Sequence, residues 1–193
     1  MKVLDTDLTE ITKLYNKFIK MMVKDFNNNY SVSINNAASF IIQLYKKVIV
    51  INKKELCPDI DYLSSLGVYC LYGYQVCRTT NSFLNDFMNE IGLDAKLKPI
   101  LIDEKNDWHI VDLIHANHVV VNIKNDKTNL FLDLNNDLYF ESINGEISNV
   151  SFKNKQIVLD YNKYTEIINQ IENILNKYLL YRDLGIERVY TYE

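Results

Sequence analysis

Three cysteines (Cys57, Cys70, Cys77) and three histidines (His109, His115, His118) are the side chains of this 193-residue sequence best suited to nucleophilic and proton-transfer chemistry near neutral pH. Cys77 stands apart by its setting. It follows the loop Gly73-Tyr74-Gln75-Val76 and precedes Phe83, Leu84, Phe87, Met88 and Ile91, which fall on one side of a helix. Gly92 stands where such a helix ends in a left-handed residue. Cys77 therefore lies in a first helical turn, where unpaired N–H groups and the positive end of the dipole favour thiolate. Cys57 and Cys70 read as small buried hydrophobes. Cys70 and Cys77 are seven residues apart, which is not a zinc-knuckle spacing, so no metal and no cofactor is expected.

A nucleophilic thiol needs an imidazole in reach, and the imidazole needs a partner that holds its tautomer. His118 opens the strongest strand pattern, His118-Val119-Val120-Val121-Asn122-Ile123, and Asp133 lies on the return strand Leu130-Phe131-Leu132-Asp133-Leu134. Across a hairpin the two fall side by side, with Cβ atoms about 5 Å apart. Cys77, His118 and Asp133 thus form a Cys–His–Asp triad in chain order. His115, three residues upstream, faces the other side of an extended strand and becomes the base only if that strand starts earlier or bulges. Asp137 and Asn135 are the rivals of Asp133. The Cys77 N–H is one oxyanion donor, Gln75 or Tyr74 a candidate second. Arg78 either adds positive charge beside the thiolate or pairs with a carboxylate. Tyr69, Tyr72 and Tyr74 either line a cleft or rim the core. His109, beside Trp108, packs or faces solvent.

Periodicity supplies the elements that must position these groups. Leu8, Ile11, Tyr15, Phe18, Ile19 and Met22 predict a helix over 7–23 capped by Thr6 or Asp7, with Asn27-Asn28-Asn29 as a loop. A second helix is expected over 35–47, and Val48-Ile49-Val50-Ile51 either extends it or forms a strand. A third is expected from an Asp59 cap through Leu63, Leu66 and Tyr69. After Gly92 come a strand at Ala95–Ile102 with Pro99 at an edge or bulge, a polar turn over 103–107, and a hairpin loop over 124–129. Two or three weaker strands follow within 138–160, then a last helix over 161–184. Helices first and antiparallel strands after make an α+β fold in a single domain, 1–193. Within it, residues 1–65 are helical, 66–139 form the core, and 140–193 hold strands and a C-terminal helix.

The arrangement resembles the transglutaminase-like (papain-like thiol) superfamily. The residues that carry the likeness are Val76-Cys77-Arg78, the helix to Ile91-Gly92-Leu93-Asp94-Ala95, Asn117-His118-Val119-Val120-Val121 and Phe131-Leu132-Asp133, within 66–139. Arg78 stands where animal transglutaminases carry Trp, and an arylamine acetyltransferase's Arg-Gly-Gly-x-Cys turn is absent. The resemblance implies a papain/transglutaminase-like core with extra N-terminal helices. It also implies a cysteine-dependent peptidase, amidase or transamidase that acts on a peptide or protein substrate through a thioester. The alternative is a non-catalytic protein-binding module on the same fold.

A net charge of −4 and a pI near 5.4 argue against nucleic acid or an anionic membrane as the main partner. The first residues lack the apolar run of a signal peptide and no stretch approaches a membrane span, so a cytoplasmic protein is expected.

Overall fold

The computed structural model describes residues 4–179 except 59, 61, 62, 106, 107, 126, 127, 145 and 153–155. The chain forms α1 (Asp5–Asn29), α2 (Ile34–Leu44), α3 (Gly67–Tyr72), α4 (Cys77–Glu90), β1 (Ala95–Ile102), β2 (Trp108–Ile110), β3 (His118–Asn125), β4 (Thr128–Asp133), β5 (Leu138–Ile143), β6 (Glu146–Asn149) and α5 (Tyr161–Leu175). The six strands make one antiparallel sheet in the order β2-β1-β3-β4-β5-β6. The architecture is α+β. None of the described helices is long and apolar enough to cross a membrane.

The main core lies between the helices and one face of the sheet, where α4 packs on β3, β1 and β4 and is itself backed by α1 and α3. Val121 and Ile123 of β3 and Leu130 and Leu132 of β4 enter this core, while Val120 and Phe131 join Ile100 and Phe140 in a smaller cluster. The side chains of a strand alternate between faces, so β3 is buried on both, which is why Val119, Val120, Val121 and Ile123 are apolar with only the buried Asn122 between them. Phe131 and Phe140, paired across β4 and β5, stack with centroids 4.9 Å apart.

The first helix outruns its prediction at both ends. Its N-cap is Leu4, without a side-chain cap bond, so neither Thr6 nor Asp7 caps it. It continues through Asn27-Asn28-Asn29 because Phe26 is wholly buried against Phe40 and Phe87, and this packing outweighs the weak helix propensity of the asparagines. Ser33 caps α2 by accepting from the Asn36 N–H at 3.2 Å. The open stretch Val48–Ile51 extends that helix as a π-turn (Tyr45–Ile49) and a 3-10 turn (Val50–Asn52), not as a strand.

The third predicted helix is corrected. Its Asp59 cap lies outside the described residues, and the helix that forms is Gly67–Tyr72. The segment before it is held by tertiary bonds instead, Tyr69 Oη donating to the Ile60 carbonyl at 2.8 Å and the Lys54 N–H to the Gly73 carbonyl at 2.7 Å. At the other end, α5 stops at Leu175 and a 3-10 turn over Asn176–Tyr178 follows, so Tyr178 is buried from a turn rather than a helix. The predicted continuation over 180–184 and the tail tyrosines Tyr181, Tyr190 and Tyr192 lie outside the described residues. The hairpin between β3 and β4 is tighter than 124–129, since the strands run to Asn125 and from Thr128. Just after the polar turn, Trp108–Ile110 forms a short outer strand that periodicity did not show.

Candidate active site

Cys77 is the first residue of α4, with Val76 extended before it as the N-cap. Valine has no side-chain acceptor, so the cap is built from Thr79. Its hydroxyl accepts the Val76 N–H at 3.1 Å and donates to the Tyr74 carbonyl at 2.7 Å, which folds the loop back onto the helix start. The helix ends on Gly92, at φ 90°. Asn89 then ties the helix end to β1, accepting from the Ala95 N–H at 3.1 Å and donating to its carbonyl at 3.0 Å. Helix and sheet are thus fixed to one another at both ends of α4.

The N-terminus of α4 meets the sheet where β3 and β4 part. Their last rung is Val121↔Leu132. Beyond it, the backbone groups of Val119 pair with α4 rather than with β4. Its N–H donates to the Cys77 sulfur, and its carbonyl accepts from Asn81 Nδ2 at 2.7 Å.

The structure brings Cys77, His118 and Asp133 together. His118 Nε2 lies 2.6 Å from Asp133 Oδ2, and the Cys77 sulfur is hydrogen-bonded to the His118 ring, for which Nδ1 is the nitrogen left. The two sheet residues are not side by side. Carrying the register on from Val121↔Leu132 sets Asp133 opposite Val120, so His118 reaches it diagonally, a span within the reach of an imidazole.

Asp133 is fully buried and receives four donors: His118 Nε2 and Asn136 Nδ2 (2.9 Å) on Oδ2, Asn81 Nδ2 (3.0 Å) and the Asn135 N–H (3.1 Å) on Oδ1. Burial alone raises its carboxyl, but these bonds and the imidazolium charge prevail and hold it below the usual range. Burial likewise opposes charge on His118, and Asp133 and Cys77 outweigh it, raising the ring to about 9. Burial pushes the Cys77 thiol up. The His118 hydrogen bond and charge, with the Val119 N–H, overcome this and hold it below its ordinary value. Cys70 shows the contrast, since burial lifts its thiol to about 12.

The rival residues fall elsewhere. His115 is exposed in a 3-10 turn (Leu113–His115) ahead of β3. Asp137 pairs with Lys46 at 2.7 Å and accepts from Tyr139 Oη at 2.9 Å. Asn135 contributes its backbone N–H to Asp133 rather than its side chain. His109 is exposed and 3.1 Å from Asp103.

Gln75 is buried and its side chain anchors the loop: Nε2 donates to the Ile49 carbonyl at 2.8 Å, and Tyr45 Oη donates to Oε1 at 3.3 Å. Tyr74 is half-buried against the main core, with its N–H on the Tyr69 carbonyl at 2.9 Å. Both residues expected as oxyanion or substrate contacts therefore shape the approach to Cys77 through these bonds. Arg78 is half-buried next to Cys77. As the first helical residue, Cys77 has a backbone N–H without an intrahelical partner.

Two asparagines were missed from the sequence. Asn81 lies one turn beyond Cys77, and the signal that marks it is the i,i+4 spacing, which puts both side chains on one face of the helix. Asn136 sits in the turn after β4, where spacing carries no signal. Among the described residues no group of three His, Cys, Asp or Glu side chains is placed to hold a metal ion. The arrangement suits one chemistry: a thiolate–imidazolium pair with a buried carboxylate behind it. Comparisons with protein-family models, curated proteins and solved structures find no match for this chain.

Proposed function

We propose that this protein is a cysteine-dependent acyl-transfer enzyme, a peptidase, amidase or transamidase, built on a papain/transglutaminase-like core. The observation that supports it is the hydrogen-bonded series Cys77–His118–Asp133, in which the thiol is lowered and the imidazole raised, so that the sulfur is charged while its partner still holds a proton. A peptide or protein amide is the substrate class that this pair suits. Free thiols at Cys57, Cys70 and Cys77 fit a reducing, cytoplasmic setting.

In the reaction the Cys77 thiolate attacks the carbonyl carbon, forming a C–S bond and placing the displaced electron pair on oxygen, next to the Cys77 N–H. The tetrahedral adduct collapses as His118 gives its proton to the leaving amine, and the C–N bond breaks. Water or a second amine then loses a proton to His118 and attacks the thioester. The C–S bond breaks and the thiolate–imidazolium pair returns. Asp133 keeps the ring in the tautomer that faces the sulfur.

Alkylation with iodoacetamide at pH 6.5, followed by peptide mapping, tests the reading. Cys77 reacts much faster than Cys57 or Cys70, and His118→Asn removes the difference. A folded protein in which Cys77 labels no faster than the other two rules out the activated thiol and leaves a binding module with an unused triad.

A further inference from the structure

We infer that Asn81 is a positioning residue of the triad, setting the charge state of Cys77 and His118 by holding Asp133 and by spanning the gap between β3 and β4. The inference rests on the acyl-transfer reading and extends it to a residue that touches neither sulfur nor imidazole in the described bonds.

The geometry is specific. Asn81 is wholly buried, yet every polar position of its amide is used. Nδ2 has two hydrogens and two acceptors, Asp133 Oδ1 at 3.0 Å and the Val119 carbonyl at 2.7 Å. Oδ1 accepts the Leu134 N–H at 3.0 Å. Two acceptors on one end and a donor on the other leave only one orientation of the amide.

Val119 belongs to β3 and Leu134 follows β4, and both lie beyond the last rung between those strands. One side-chain amide therefore replaces the next backbone rung and keeps the strands apart by its own width. The N-terminus of α4 fills that gap, so Cys77 reaches the Val119 N–H and the His118 ring. The same amide fixes the carboxylate oxygen opposite the one that holds His118. Removing it leaves Asp133 Oδ1 with the Asn135 N–H alone and lets β3 and β4 close, and both changes loosen the contact that charges the sulfur.

The test is the pH dependence of Cys77 alkylation by iodoacetamide in wild type, Asn81→Ala and Asn81→Thr, each checked for folding by its urea midpoint. The acid limb of the profile is expected to move up in both variants. On the acid limb, where the thiolate fraction falls tenfold per pH unit, a rise of one pKa unit gives about a tenfold loss of rate. Asn81→Thr has almost the same volume and adds no charge, but its single hydroxyl hydrogen cannot make both donated bonds, so it carries the test if Asn81→Ala does not fold. A purely structural role changes the urea midpoint and leaves the pH profile where it was. That result overturns the inference. A wild-type Cys77 that labels no faster than Cys57 and Cys70 instead removes the acyl-transfer reading, so the two failures are told apart within one experiment.

Discussion

Asp133 Oδ2 lies 2.6 Å from His118 Nε2 although the strand register sets the two residues a diagonal apart. The contact forms there because β3 and β4 have already separated, and a helix terminus with its thiol occupies the gap. A directly opposed pair would sit inside the ladder, with less room for Cys77. The position of the carboxylate and the opening of the strands are thus one feature of the fold.

The pH behaviour follows from the three shifts. The thiolate–imidazolium pair persists from the lowered value of Cys77 up to about 9, the raised value of His118. Acyl transfer to a leaving amine therefore falls off above about 9, as the imidazole loses the proton it must donate. Asp133→Asn removes the bond and charge that support the imidazolium, so this alkaline limb moves down. A rate profile that keeps its limb near 9 in Asp133→Asn contradicts the arrangement.

Stability has the same signs. A histidine held up in the folded state stabilises it fully below its ordinary value of about 6.5. That stabilisation is lost as pH rises through about 9. A carboxylate held down stabilises above about 3.9 and loses this as pH falls through its lowered folded value. The difference in urea midpoint between wild type and Asp133→Asn is therefore largest between these ends. It narrows toward both strong acid and pH above 9.

Asp137→Asn serves as the control for Asp133. The Asp137 side chain is 55% exposed and pairs with Lys46 across the surface, a bond worth about 0–1 kcal/mol. Its backbone has φ 55°, which asparagine tolerates. The substitution leaves the Cys77 alkylation profile unchanged and shifts stability by less than about 1 kcal/mol. A changed profile would show that Asp137 takes part in the site.

Gly67→Ala probes the support beneath α4. A Cβ at Gly67 overlaps Tyr15 Oη and comes to 3.0 Å from the Phe83 Cα. Tyr15 is held by a 2.6 Å bond to Asp86, and the Phe83 Cα is backbone of α4, so neither yields freely. Overpacking of this kind costs about 1–3 kcal/mol, and thermal or urea unfolding measures it. An unchanged midpoint would mean that Tyr15 swings aside.

Much of the site was legible because its signals are local. A one-sided apolar run ending at Gly92 marks α4 and puts Cys77 in its first turn. The β-branched run after His118 marks β3, and the polar interval before Leu130 marks the hairpin that returns Asp133. Asn81 was not legible, because a buried asparagine is recognised by what it bonds, and its partners Val119, Asp133 and Leu134 are 38 to 53 residues away. The third helix was misread for a related reason. Leu63, Leu66 and Tyr69 keep helical spacing, but the helix begins only at Gly67, and the Ile60 carbonyl is taken by Tyr69 Oη rather than by a helical turn.

By itself, then, the sequence determined the α+β order of elements, the thiol at a helix start and the order Cys77, His118, Asp133, since each depends on periodicity or on turns a few residues long. Only the tertiary structure decided which histidine faces the sulfur, which carboxylate stands behind it and how it is held. Those choices depend on where β3 and β4 part and on a helix packed into the opening, and the hydrogen bonds and charges met there set the charge of every group against the pull of burial. Such couplings join residues from 77 to 136, beyond the range of any local pattern.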